Sequence, residues 1–290
     1  MKVSGFTIIR NALKYDYPIV EAIRSILPVC DEVVVAVGNS EDGTRELVAG
    51  LSPKIRIIDT VWDDSLRAGG RVLAVETDKA LAAISPDADW AFYIQGDEVI
   101  HEKYLPVVRK AMEQYLDQPE VEGLLFNYLH FYGSYRYVGD SRRWYRREIR
   151  VIRPTGKVVA YRDAQGFRTR DNQKLHVKLI DAWVYHYGWV KPPEKQKAKL
   201  RDFGRLWNDD SKMDGVLERA ETFDYSGIDA LALFKDTHPA VMQERVDRMN
   251  WLFDFDIKQK KYSFKNRILM AVQRWTGWRV GEYRNYKLLR

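Results

Sequence analysis

The sequence predicts an α/β protein, with a mostly parallel central sheet flanked by helices and a helical C-terminal extension. Three observations lead there. Apolar, β-branched runs alternate with stretches of helical spacing over the first hundred residues, which implies parallel strands joined by right-handed crossovers. Aromatic, strand-like runs follow residue 120. Helical patterning returns over 241–275.

The elements follow in order. "VSGFTIIR" is a short apolar strand. "DYPIVEAIRSIL" reads as a helix, with Asp16 placed to cap it and Pro18 near its first turn. Its residues Ile19, Val20, Ile23, Ile26 and Leu27 fall at helical spacing. "EVVVAV", residues 32–37, is a continuous run expected of a strand buried on both faces. "NSEDGTRELVAG" supplies a turn, a helix start and a closing Gly50. "KIRIID" is a third strand, a helix runs from about Arg67 to Ile84, and "WAFYIQ" is the fourth strand. Further strands are expected in "VEGLLFNYLHFYGSYRYV", "REIRVIRP", "GKVVAYRD" and "HVKLIDAWVYHYGWV". "PPEKQKAKLRDFGRLW" reads as a helix opened by prolines, and 208–240 as a weakly patterned connector. Two units are expected: residues 1–205 as the main domain and 206–290 as a basic extension.

Composition narrows the class. The chain of 290 residues is 46% hydrophobic and 30% charged, as expected of a folded protein. Its one cysteine, Cys30, excludes an intrachain disulfide and suits a reducing compartment. "MKVSGFTIIR" lacks the features of a signal peptide, and no apolar run reaches the roughly 20 residues of a membrane span. A cytoplasmic location is the expectation. Net charge is +6, but residues 257–290 carry ten Lys or Arg and one acid, Glu282, so the rest of the chain is acidic. Basicity confined to a tail argues against a nucleic-acid partner for the body.

The fourth strand runs into "QGDEVIHE". In parallel α/β sheets, ligands bind beyond the carboxyl ends of the strands. Asp97 and Glu98 lie just past such an end. Carboxylate oxygens are the ligands a hard divalent cation takes, and a cation there neutralises a diphosphate leaving group. Taken singly, each acid also fits a helix cap, Glu102 above all.

Four stretches together resemble the family 2 glycosyltransferases, which use nucleotide-diphosphate sugars and share the Rossmann-like GT-A fold. "SGFTIIRNALKYDYPIVEAIRSILPVCDEVVVAV" resembles the family's first strand, helix and second strand. "NSEDGTREL" resembles its S-x-D-G-T turn. "RAGGRVLAVETDKAL" resembles the helix whose Arg faces the diphosphate, and "WAFYIQGDEVI" resembles the strand that ends in its D-x-D metal motif. The resemblance covers about residues 3–105. It implies inverting transfer of a sugar to a hydroxyl acceptor, either a glycan or lipid-linked, with Mn²⁺ or Mg²⁺, in glycan or surface-polysaccharide synthesis. On it, Asp97, Glu98 and His186 of "YHYGWVKPPE" hold the metal. Arg71 faces the diphosphate, and Asn11, Asn39, Asp42, Gln95 and Asp97 line the nucleotide site. The sequence departs from the family at Gln95, which stands where the first Asp of D-x-D is expected, and in "VGNSED", where Asn39 and Asp42 replace the acid common after strand two.

Inverting transfer needs a base to take the acceptor's proton. Asp163 in "YRDAQGFR" is the positional candidate, ahead of Asp181. Asp163 equally suits a turn, Asn11 a turn, Asp42 a helix cap, Arg71 a solvated helix face and His186 a packed aromatic cluster. Residues 142–150 hold five arginines beside Trp144 and Tyr145; a solvated strand or a site for an anionic acceptor fits them. The tail mixes Ile268, Leu269, Val272, Trp275 and Trp278 with Lys and Arg. It suits either peripheral contact with an anionic membrane through 257–290 or packing back on the domain. Competing readings are a non-catalytic sugar-nucleotide or glycan-binding protein of the same fold, a nucleic-acid binder, and a nucleotidyltransferase. The last lacks its Gly-rich signature after the first strand.

Overall fold

The computed structural model describes residues 1–66, 68–204 and 222–290. The first half alternates as expected: β1 (Val3–Ile9), α1 (Ile19–Ile26), β2 (Glu32–Val37), α2 (Thr44–Ala49), β3 (Ile55–Asp59), α3 (Arg71–Ala82) and β4 (Trp90–Tyr93). Then come β5 (Glu98–Ile100), α4 (Leu105–Gln114), β6 (Gly123–Tyr132), β7 (Ser134–Gly139), β8 (Arg147–Ile152), β9 (Val158–Tyr161), β10 (Gly166–Thr169), β11 (His176–Trp189) and α5 (Pro193–Gly204). The chain ends with β12 (Leu231–Leu233), α6 (Gln243–Asp247), α7 (Phe264–Thr276) and β13 (Lys287–Leu288).

Strand order is β12-β7-β6-β8-β4-β1-β2-β3, and β11 joins β6, β5 and β13. Strands β1 to β4 pair in parallel. The sheet beyond β4 is not mostly parallel: β8 pairs antiparallel with β4 and β6, β7 with β6 and β12, and β5 with β11. The fold is therefore Rossmann-like on one side of β1 and mixed on the other. Hairpin connections explain the difference. Gly133, at φ 72°, turns β6 directly into β7 with no room for a crossover helix.

Both faces of the parallel half are covered. Val33, Val35 and Val37 pack with Ile19, Ile23 and Ile26 of α1. Val34 and Ala36 pack with Val72 and Ala80 of α3 on the opposite face. That period of two in a wholly apolar strand is what helices on both faces require.

Several local expectations need correction. Asp16 does not cap α1. It sits at φ 51° and pairs with Arg245 at 2.7 Å, while the helix begins after Pro18. The third helix starts at Arg71 because Gly69 and Gly70 take positive φ and break the stretch before it; Arg67 lies outside the described residues. The extension is only partly helical. Strands β12 and β13 add to the main sheet, and between α6 and α7 the chain is irregular, so it packs as part of the domain. Residues 205–221, with the expected unit boundary and the first part of the expected connector, lie outside the described residues.

Candidate functional site

Strand order reverses at β1. The chain leaves it for β2 on one side and returns to β4 on the other, and the crevice at such a switch point is where α/β sheets bind ligands. Here a cavity of about 190 Å³ opens over the ends of β1 and β4. It is lined by Arg10, Trp62, Gln95, Asp97, Asp163 and Lys199, among others. Gly96 lets the chain leave β4 close over β1, since a Cβ there would stand 3.0 Å from Ile9 Cδ1.

Asp97 is nearly buried and faces this cavity. Lys199 Nζ lies 3.3 Å from its Oδ2, and His186 Nε2 lies 3.7 Å from Oδ1. Burial opposes the charge, yet Lys199, His186 and Lys191 together hold the carboxyl down at about 2. Burial also lowers the His186 imidazole, which favours its neutral form, and its Nδ1 has no hydrogen-bond partner among the described residues. Strand pairing sets this up: β11 runs antiparallel to β5 with His186 opposite Glu98, and Tyr187 N donates to Asp97 O at 2.8 Å. Gly188 keeps the pair in contact. A Cβ there would lie 2.6 Å from Asp97 Oδ2 and 2.7 Å from His186 Cε1.

Glu98 points the other way, as neighbours in an extended chain do. It is fully buried and forms a two-pronged pair with Arg150 at 2.7 and 2.8 Å, with Tyr128 Oη donating at 2.8 Å. Its lone pairs are spent in the core, so it does not stand with Asp97 as a metal ligand. Among the described residues no group of three or more His, Cys, Asp or Glu side chains is gathered to hold a metal. The pair that suits a divalent cation is Asp97 with His186: a charged oxygen beside a neutral nitrogen whose ring is held near it.

The Glu98–Arg150 pair also braces the cavity walls. Gln95 N donates to Glu98 Oε2 at 3.1 Å, and Arg150 Nη1 donates to Gln165 O at 2.8 Å. Gln165 ends the four-residue loop between β9 and β10, whose other members are Arg162, Asp163 and Ala164. Arg162 and Ala164 take φ of 58° and 59°, a conformation unfavourable to both residue types and held here by the surrounding contacts. Gln95 Nε2 donates to Ala164 O at 3.2 Å. The result places Asp163 on the cavity wall, where burial raises its carboxyl above the usual aspartate range. Asp163 also lines a larger adjoining cavity of about 760 Å³ with Arg71, Asp78 and Arg162.

The structure thus brings Gln95, Asp97, Asp163 and His186 together, with Arg71 on the adjoining wall. It does not bring in Asn11, Asn39 or Asp42 as cavity-lining groups. Asn11, at φ 54°, accepts from Glu41 N at 2.8 Å, and Asp42 accepts from Lys14 N and Thr44 N, so both tie the loop after β1 to the loop after β2. Asn39 accepts from Trp62 N at 3.3 Å and lines a separate hollow beside α2. Asp181 is an exposed residue of β11, outside the cavity linings described above.

Sequence reasoning missed Lys199, Lys191 and Trp62, and it grouped Arg150 with a solvated strand or an anionic-acceptor site, whereas Arg150 is fully buried against Glu98. Lys191 is buried, with Nζ donating to Tyr15 O at 2.7 Å and lying 4.3 Å from the Tyr17 ring centre. Its only sequence signal was a Lys after the aromatic run of β11. Trp62 lies against Gly38, where a Cβ would meet its indole, and Arg10 stacks over the ring.

No family model matches the chain, and no curated protein does. Solved structures do. S. aureus TarS 1–349 in complex with UDP aligns at 15% identity and TM-score 0.40, over 75% of this chain and 70% of that one. Glucosyl-3-phosphoglycerate synthase from Mycobacterium tuberculosis, in complex with Mn²⁺, UDP and phosphoglyceric acid, aligns at 20% identity and TM-score 0.30. That alignment covers 44% of this chain and 43% of the synthase, and the longer TarS chain is covered over 42% of its length.

Proposed function

We propose that the chain is an inverting glycosyltransferase of the GT-A, family 2 type, moving a sugar from a nucleotide-diphosphate donor to a hydroxyl of a glycan or lipid-linked acceptor. One observation carries the reading: Asp97 and Asp163, from separate halves of the chain, line the same crevice at the switch point of the sheet. Lys199 and Arg71 oppose the charge of the diphosphate, and Trp62 offers an aromatic face to the nucleotide. Asp97 and His186 would hold a divalent cation, Mn²⁺ or Mg²⁺, which when bound would neutralise charge on the diphosphate. Asp163 accepts the acceptor's proton. Burial raises its carboxyl, which makes it a stronger base than an ordinary aspartate.

Two features favour a binding protein of the same fold instead: Gln95 in place of an acid, and Glu98 committed to Arg150. Calorimetric titration with UDP and GDP, with and without Mn²⁺, on wild type and Asp97→Asn tests the donor site. Metal-dependent binding lost in the variant supports it, and binding of neither diphosphate sinks it. Asp163→Asn then separates the two readings. A transferase loses about 10²-fold or more in kcat with donor affinity unchanged, whereas a binding protein shows no turnover of the donor in wild type.

No helix among the described residues is long and apolar enough to cross a membrane. In this reading the protein works in the cytoplasm at the inner face of the membrane, reached through α7. Phe264, Ile268 and Trp275 are 79%, 50% and 90% exposed, and at helical spacing they form one stripe flanked by Lys265, Arg267 and Arg274.

A further inference from the structure

A further cavity, of about 220 Å³, lies on the far side of the loop that carries Asp163. Its wall holds Arg142, Arg143, Arg146, Arg147 and Arg279. Among the described residues, two carboxyls line the cavity with these five guanidiniums. Glu282 is taken up by Arg146, with contacts of 2.8 and 2.9 Å. Glu148 is buried, accepts from Gln165 Nε2 at 2.8 Å through Oε1, and its buried Oε2 has no hydrogen-bond partner among the described residues.

Burial pushes the Glu148 carboxyl up to about 8, so at neutral pH it carries a proton. A neutral Glu148 offers a donor to an incoming oxyanion and adds no opposing charge. Arg279 is buried beside Arg142 and Arg146: burial disfavours its charge most, Glu282 favours it, and the two like charges oppose it again, so that it is held below the usual arginine range. Its guanidinium donates to Arg142 O, a carbonyl that returns no charge. Guanidiniums gathered this way are unfavourable alone and favourable around a phosphate, which accepts their paired hydrogen bonds.

We propose that this arginine cavity is an anion subsite of the acceptor, binding a phosphate ester so that the acceptor's hydroxyl reaches Asp163. Gln165 lines both this cavity and the 760 Å³ cavity that Asp163 and Arg71 share, so the loop 162–165 separates the two by its own thickness. The assignment of the anion to an acceptor rests on the glycosyl-transfer reading. The binding of the anion does not.

The test is titration of the full chain with inorganic phosphate and with vesicles of phosphatidylglycerol in phosphatidylcholine. Wild type, Arg147→Gln, Arg279→Gln and Asp97→Asn are compared, with UDP binding measured in parallel. Expected is saturable phosphate binding, weakened at least tenfold in both arginine variants and unchanged in Asp97→Asn. Vesicle binding that falls with the same two substitutions assigns the phosphate to a lipid headgroup. Vesicle binding indifferent to them assigns it to a soluble ester. If Arg279→Gln does not fold, Arg147→Gln decides, since that side chain is only half-buried and its Nε donates to Asn127. Phosphate binding equal in wild type and arginine variants, or no saturable binding of either probe, overturns the subsite. Loss of UDP binding alone overturns the donor reading and leaves the subsite standing.

Discussion

Lys199 Nζ stands 3.3 Å from Asp97 Oδ2 and 3.3 Å from the carbonyl oxygen of Gly188, so one ammonium links α5 to the ends of β4 and β11. With His186 and Lys191 it holds the Asp97 carboxyl at about 2. The unfolded chain titrates this group near the ordinary aspartate value, about 3.9. Its ionisation therefore contributes about 2 kcal/mol of stability above pH ~4, lost as pH falls towards 2. Lys199→Met raises the Asp97 carboxyl towards the usual range and shrinks that contribution. Acid unfolding followed by circular dichroism is expected to begin at higher pH in the variant. Coincident curves would show that Lys199 does not hold the carboxylate.

Gly188 is required by proximity, not by backbone conformation. Gly188→Ala puts a methyl 2.6 Å from Asp97 Oδ2 and 2.7 Å from the His186 ring, which forces the two apart. Metal-dependent nucleotide affinity is expected to fall about tenfold or more, while metal-independent affinity changes little. Equal loss in both conditions would point to general disruption of the cavity.

The Glu98–Arg150 pair is fully buried, so removing one partner leaves an uncompensated charge. Arg150→Ala is expected to cost about 3–5 kcal/mol in urea unfolding. It also loosens the loop 162–165 through loss of the bond to Gln165 O. The double variant Glu98→Gln, Arg150→Met is expected to lose less than Arg150→Ala. A larger loss would mean that the pair is worth more than its desolvation.

Glu148 gives the stability a second pH dependence, of opposite sign to that of Asp97. Its neighbours Arg150, Gln165, Glu98 and Asp163 leave burial dominant, and the folded carboxyl sits at about 8. Between the ordinary glutamate value, about 4.3, and pH 8 the unfolded chain releases this proton while the folded chain keeps it, so stability falls as pH rises. Over that window the loss approaches about 5 kcal/mol. Glu148→Gln removes it, so the variant is expected to gain on wild type between pH 5 and pH 8 in denaturant titrations. A constant difference across that range would show that Glu148 is ionised in the folded protein.

The stripe on α7 predicts a surface interaction. Trp275→Ala with Phe264→Ala is expected to weaken binding to vesicles rich in phosphatidylglycerol about tenfold, and added salt to weaken the wild type further. Binding insensitive to both would leave the stripe without a membrane role.

How much of this was legible follows from the range of each signal. Val33 to Val37 announce a two-sided strand because side-chain alternation is local, and β1 to β3 follow their runs closely. The end of β4 marked Asp97 as a residue at the ligand edge for the same reason. That Asp97 and Glu98 part company was implicit in a period of two. Which of them faces the site was not, because that depends on β11 pairing with β5 and on Arg150, 52 residues further on. The hairpin β9–β10 was half seen, and its loop is strained at Arg162 and Ala164 against their local preference, so propensity could not reveal how it aims Asp163.

The sequence by itself determined the alternation of β1 to β4 with their helices, the acid at the sheet's edge and the basic apolar face of the tail, all set by residues within a turn or two of each other. The tertiary structure alone decided that Glu98 belongs to the core, that Lys199 answers Asp97, and that five arginines from two distant segments close around one cavity. Those outcomes depend on burial and strand register, through which residues far apart in the chain meet at distances where charge and hydrogen bonding act.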